Sequence, residues 1–142
     1  MRDELFDWNL PPERKGYAAS DNLAQRRAAV ASTPLDPNIA CETTHIAGVR
    51  CLMFRSRRTT GGTILYLHGG GYRMGAPEPW AAYADSLRDA TGCTIIVPDY
   101  RLAPEHPFPA ALHDSAGVYA ELSAALPVIV AGDSAGAGLA AS

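Results

Sequence analysis

Gly132-Asp133-Ser134-Ala135-Gly136 sets one serine between two glycines, and His68-Gly69-Gly70-Gly71 sets three glycines behind a histidine. A serine hydroxyl is a weak nucleophile. It becomes a useful one where a base takes its proton and fixed donors hold the oxyanion that its attack creates. The G-x-S-x-G form is that of a nucleophile elbow, a strained strand-to-helix turn that pushes the serine hydroxyl out above the strand ends. Side chains two before and two after the serine would collide there, which accounts for Gly132 and Gly136. The N–H of Ala135, opening the helix, points to where a tetrahedral oxyanion would form. The second segment has the form of an oxyanion loop. Gly69, Gly70 and Gly71 can bring unshielded N–H groups to the same point, two of the three and by preference the last two.

These residues need a scaffold that ends two strands side by side. The run from Gly61 to Leu67 reads as a buried strand leading into His68, and Pro127 to Ala131 reads as another leading into Gly132. Ala135 to Ala141 opens a helix behind the serine, so strand, sharp turn and helix follow in the order an elbow requires. G-x-S-x-G alone is a weak signal, and the histidine-glycine run is the rarer of the two by chance. A phosphate-cradling role for the glycines is disfavoured, because no lysine follows in Walker spacing and no acidic ribose partner is suitably placed.

The rest of the chain reads as alternating strands and helices. Two antiparallel strands are expected at Thr43 to Arg50 and Cys51 to Arg55, joined near Gly48. A helix is expected from Pro79 to Ala90, with an apolar stripe of Trp80, Tyr83, Ala84 and Leu87 and a stop at Gly92. The strand Cys93 to Pro98 follows, then a helix from Pro109 to about Ala124 with Leu112, Ala116, Tyr119 and Leu122 on one face. Apolar strands alternating with amphipathic helices argue a parallel α/β sheet. Residues 1–40 differ in character: Phe6, Trp8, Leu10 and Tyr17 are scattered among prolines and charges. There Ser20 can cap a short helix over Asp21 to Ala31.

Three blocks together, His68 to Tyr72, Pro98 to Ala111 and Gly132 to Gly136, resemble the hormone-sensitive-lipase-like branch of the α/β-hydrolases. Pro98-Asp99-Tyr100-Arg101-Leu102-Ala103-Pro104-Glu105-His106-Pro107-Phe108-Pro109-Ala110-Ala111 is the most diagnostic of them. The resemblance implies an α/β-hydrolase fold, a mostly parallel sheet flanked by helices. It also implies a carboxylesterase or lipase working through an acyl-enzyme on a small-molecule ester, without a cofactor. Ser134 is then the nucleophile, and His68 anchors the glycine loop. Residues 1–40 form a lid segment or a plain surface arm, and 41–142 form the N-terminal half of the catalytic domain. The family often has Gly-Asn where this chain has Ala137-Gly138. Such enzymes take their acid and histidine after the serine, while eight residues follow Ser134 here. The reading is therefore a fold truncated after the elbow, needing a downstream half to complete its triad and inactive without it. Amide or formamide hydrolysis, or small-molecule binding without catalysis, are the alternatives on the same fold.

Bulk properties narrow the field. A 142-residue chain with 47% apolar and 19% charged residues can bury one ordinary core, and a net charge of −3 suggests no nucleic-acid partner. The basic run Arg55 to Arg58 reads as a solvated turn. No stretch approaches the ~20 apolar residues of a membrane span, and Met1-Arg2-Asp3-Glu4 leads into no signal-like run, so the cytoplasm is the expected location. No metal site is expected: His45, His106 and His113 have no ligand spacing with one another or with Cys41, Cys51 and Cys93. Cys51 and Cys93 read as buried fillers.

Overall fold

The computed structural model describes residues 22–58 and 62–142. The aromatic residues of the first twenty positions, the Ser20 cap, Asp21 and Gly61 lie outside the described residues. Five strands, β1 (Glu42–Ile46), β2 (Val49–Phe54), β3 (Thr63–Leu67), β4 (Thr94–Pro98) and β5 (Val128–Gly132), form one sheet in the order β1-β2-β4-β3-β5. The sheet is mixed. β1–β2 and β2–β4 are antiparallel, whereas β4–β3 and β3–β5 are the expected parallel pairs. Four helices accompany it: α1 (Leu23–Ala31), α2 (Ala81–Thr91), α3 (Ala110–Ser123) and α4 (Ala135–Ala140).

Strand side chains alternate between two cores, as the period of two demands. Leu52, Phe54, Ile64, Tyr66, Ile95 and Val97 pack with Ala81 and Ala84 of α2. On the other face, Cys51, Leu65, Leu67 and Ile96 meet Val118 of α3 and Leu139 of α4. Both faces of β3 are covered, and all five of its residues are buried. Cys51 is fully buried, and Cys93 is partly buried against the α2-side core.

Several element details differ from expectation. The first hairpin turns at Ala47 and Gly48, both with positive φ (50° and 78°), so Val49 and Arg50 belong to β2. A two-residue turn of this kind matches the strand twist and fixes Ile46 opposite Val49. A 3-10 turn over Glu78–Trp80 precedes α2, whose buried face is Ala81, Ala84 and Arg88. Tyr83 is 51% exposed, while Arg88 is 2% exposed and ion-paired with Asp85 and Asp89. Paired charge and an aliphatic stem let an arginine replace the expected aromatic on that face. In α3 the buried positions are Ala110, Ser115 and Val118, one step round from the expected stripe, with Ala116 and Tyr119 exposed and only Leu122 packed on the core. The Ser115 hydroxyl fits there because it donates to the Ala111 carbonyl, 2.8 Å away. β5, by contrast, fits an apolar strand with one neighbour: it pairs with β3 alone among the described residues, and its Ile129 is 60% exposed.

Candidate active site

β3 and β5 run parallel with Leu67 opposite Gly132, so both strands end at one level and release their loops side by side. Ser134 follows with φ 49° and ψ −116°, a left-handed conformation unusual for a residue bearing a side chain. Its side chain is exposed, while Ala135 and Gly136 behind it are buried. A Cβ on Gly132 would lie 2.6 Å from both the Gly136 and the Leu67 carbonyl oxygens. The expected crowding is therefore three-way, since each elbow glycine also faces the end of β3.

The loop after β3 is ordered peptide by peptide. The Tyr100 hydroxyl donates to the His68 carbonyl at 2.5 Å, and the Gly69 N–H donates to Asp133 Oδ1 at 2.8 Å. His68 Nδ1 donates to the Gly69 carbonyl at 2.8 Å, and the Gly70 carbonyl accepts from the Arg73 and Met74 N–H groups. In a trans peptide the N–H points opposite to the preceding carbonyl. Pinning the Gly69 and Gly70 carbonyls therefore fixes where the Gly70 and Gly71 N–H groups point. Among the described residues these two N–H groups and that of Ala135 have no backbone or side-chain acceptor. The Gly69 N–H is not available in this way. Of the three candidate glycines, Gly69 is the one whose N–H goes elsewhere, to Asp133, which leaves the preferred pair Gly70 and Gly71.

His68 is fully buried, its ring stacked on Tyr100 (centroids 4.2 Å apart) with Trp80 5.3 Å away. Burial lowers its pKa, which keeps the imidazole neutral and its Nδ1–H on the loop. The same enclosure holds Tyr100, whose phenol burial also pushes upward.

Sequence reasoning passed over three residues here. Asp133 stands at the variable position of the G-x-S-x-G pattern, yet its Oδ1 accepts from Gly69, from Trp80 Nε1 at 3.0 Å and from the Tyr66 hydroxyl at 3.2 Å. Burial, and then Asp133 itself, push the Tyr66 pKa up to about 12. Trp80 and Tyr66 read as core, and no local pattern connects them to position 133. The middle block braces the site from below. Asp99 pairs with Arg50, Tyr100 supports His68, Arg101 pairs with Asp114, and the Ala103 N–H donates to the Tyr72 carbonyl. From α1, Arg27 bonds the Arg73 carbonyl at 2.6 Å, the Ala103 carbonyl and Glu105, although no residue of α1 is buried.

The remaining histidines, His45, His106 and His113, are exposed, and among the described residues none hydrogen-bonds Ser134. No cluster of three potential metal ligands occurs among the described residues. No helix among them is long and apolar enough to cross a membrane.

The α/β hydrolase fold family matches residues 64–142. An acetyl-hydrolase of Streptomyces hygroscopicus is 46% identical over 90 residues, 61% of this chain and 30% of that protein. An acetyl esterase of Salmonella typhi is 32% identical over an alignment covering 94% of this chain and 43% of its own length. Among solved structures, a hormone-sensitive lipase from a metagenome library superposes with a TM-score of 0.74 at 36% identity, over 83% of this chain and 42% of that one. The chain thus spans less than half the length of each of these relatives.

Proposed function

The chain belongs to the α/β-hydrolase fold family, its architecture being similar to that of hormone-sensitive-lipase-like esterases, and on that premise we propose a serine carboxylester hydrolase acting through an acyl-enzyme. The observation that carries the proposal is Ser134 in its strained elbow at the end of β5, beside the loop that leaves β3 at the same level, with the N–H groups of Gly70, Gly71 and Ala135 unpartnered among the described residues. Ser134 Oγ adds to the ester carbonyl, and the carbonyl oxygen gathers negative charge in front of those three donors. Collapse breaks the bond to the alcohol oxygen, which leaves with a proton. Water then repeats the cycle on the acyl group. The base that carries the proton, and the acid that orients it, are assigned to residues outside 1–142. The greater length of the relatives supports that assignment. Small acyl groups, acetyl first, are the proposed substrates, following the names of the two curated relatives. Residues 1–40 are read as a lid segment or a plain surface arm; among the described ones, Arg27 bonds the Arg73 carbonyl beside the oxyanion loop, which favours the lid.

The test is a fluorophosphonate probe with p-nitrophenyl acetate turnover, on the chain alone and with a C-terminal half of a related esterase supplied in trans. Labelling should fall on the Ser134 peptide and vanish with turnover in Ser134→Ala. Label on another serine, with Ser134→Ala still active, overturns the assignment.

A further inference from the structure

We propose that Asp133 is a positioning residue: its carboxylate sets the oxyanion loop in register with the elbow and assigns the donor role to Gly70 and Gly71 by occupying Gly69. This rests on the esterase reading above and extends it to a residue that touches no reacting atom.

Asp133 is bonded to each part of the site at once. Its N–H donates to the Leu67 carbonyl at 3.3 Å, tying it to the end of β3. Its carbonyl accepts from the Gly136 N–H at 2.8 Å and the Ala137 N–H at 3.3 Å, tying it to the start of α4. Its side chain accepts from Gly69, tying it to the loop. No other described residue joins elbow, strand and loop in this way. A displacement of the loop against the serine must therefore break or carry Asp133.

The residue type fits the task. One carboxylate oxygen here is shared by three donors, Gly69 N–H at 2.8 Å, Trp80 Nε1–H at 3.0 Å and Tyr66 O–H at 3.2 Å, one more than its own two lone pairs, and the shortest of the three is the bond to the loop. Bonds to an ionised acceptor are about twice as strong as neutral ones, so the loop is held firmly by a single side chain. Tyr66 is buried and Trp80 packs partly buried against the same core, so the carboxylate is anchored to the framework as well as to the loop. The approach also explains one of the three glycines. A Cβ at Gly69 would stand 3.0 Å from Asp133 Cγ, so glycine there admits the carboxylate and serves no oxyanion. Gly70 is glycine for another reason, its φ of 131°. The three-glycine run thus divides into one residue that is held and two that donate.

The test has a structural arm and a kinetic arm. In the 142-residue chain, amide hydrogen exchange of Gly69 should speed up by at least about tenfold in Asp133→Ala and stay slow in Asp133→Asn, which keeps an acceptor oxygen. The amides of Ile96 and Val97 report whether the core is intact. In the preparation active on p-nitrophenyl acetate, Asp133→Ala should lower kcat by about 10²-fold with KM little changed, as a misplacement of about 1 Å can do. Asp133→Asn should recover most of that loss. Gly69→Ala, which displaces the same contact, should lower kcat similarly, and the double variant should be no worse than either single one. Unchanged Gly69 exchange in a folded Asp133→Ala overturns the proposal, as does a loss borne by KM, or two losses that multiply. If Asp133→Ala does not fold, Asp133→Asn and Gly69→Ala decide alone: fast Gly69 exchange in Asp133→Asn, or full kcat in Gly69→Ala, sinks it. If the wild-type chain supplied with the C-terminal half of a related esterase hydrolyses no ester, the esterase reading fails, while Gly69 exchange in the 142-residue chain still decides whether Asp133 holds the loop.

Discussion

Gly136 packs against the end of β3 so closely that a Cβ there would stand 2.5 Å from the Leu67 carbonyl carbon and 2.7 Å from the His68 carbonyl oxygen. Both obstacles are backbone. Leu67 is held in register with Gly132, and the His68 carbonyl accepts the Tyr100 hydroxyl, so neither can step aside cheaply. Gly136→Ala should therefore destabilise the chain by about 1–3 kcal/mol or more, despite the higher helix propensity of alanine. Gly117, in the middle of α3, gives the contrast: its Cβ would meet only the Ala47 methyl, at 3.4 Å. Gly117→Ala should stabilise by about 0.5–1 kcal/mol. Urea denaturation of the two variants checks both signs, and equal effects would refute the close-approach argument.

That contrast marks where sequence was informative. Gly132 and Gly136 could be assigned to an elbow from their spacing around Ser134, because the constraint is local and chemical. The order of strands and helices was legible for the same reason, since alternation of two periods is visible in any short window. The part that β3 plays in excluding a Cβ from those glycines was not legible, because it depends on Leu67 and Gly132 being opposite each other across a parallel pair. Asp133 was hidden likewise: its partners Tyr66, Gly69 and Trp80 lie 53 to 67 residues away along the chain. On α2 the expected stripe holds at Trp80, Ala84 and Leu87 and fails only at Tyr83, whereas on α3 the face turns by one step, because hydrophobicity favours Tyr83 and Tyr119 over Arg88 and Ser115. Both of the latter are buried by satisfying their polar groups locally, which composition does not reveal.

Stability should depend on His68 in mildly acidic solution. Burial lowers its pKa in the folded chain from the ordinary value of 6.5. The unfolded chain therefore gains a proton below about pH 6.5 that the folded chain does not take up, and the proton uptake pulls the equilibrium towards unfolding. The contribution is fully present above pH 6.5 and declines as pH falls from there to the lowered folded value. Its slope is at most about 1.4 kcal/mol per pH unit. Urea midpoints at pH 7.5 and 5.5 should show the decline. A chain with the exposed His45, His106 and His113 all changed to glutamine should keep it. A flat profile, or a slope that disappears in that triple variant, would remove His68 as the source.

The oxyanion loop should govern rate more than substrate affinity. Its donors gain strength as the carbonyl becomes an oxyanion, so their loss raises the barrier selectively. Gly70→Val places a branched side chain at φ 131° and drives its Cβ onto the Met74 backbone, 2.6 Å from the carbonyl carbon. The loop must turn away. In a preparation active on p-nitrophenyl acetate, and folded by near-ultraviolet circular dichroism, kcat should fall by about 10²–10³-fold, or ~2.7–4 kcal/mol. A rise in KM at constant kcat would instead make the loop a binding surface.

The 142-residue chain alone should be a poor catalyst that a second polypeptide can rescue. An elbow positions the serine but does not remove its proton, and among the described residues no histidine is hydrogen-bonded to Ser134. His68 cannot be recruited without dismantling the loop, since its Nδ1 holds the Gly69 carbonyl and its ring is enclosed by Tyr100 and Trp80. Oxyanion donors and binding without a triad still leave about 10³–10⁴-fold over water, so slow turnover of p-nitrophenyl acetate is expected and enzymic rates are not. Rescue has a structural opening. β5 is paired on one side only among the described residues, and Ile129 is 60% exposed on it, so a further strand can add to that edge. A C-terminal half of a related esterase, supplied in trans, should raise kcat/KM by several orders of magnitude, and Ile129→Lys should weaken the association without disturbing Ser134. Rapid turnover by the chain alone, abolished by His106→Ala or His113→Ala, would place the base within these residues and overturn the argument.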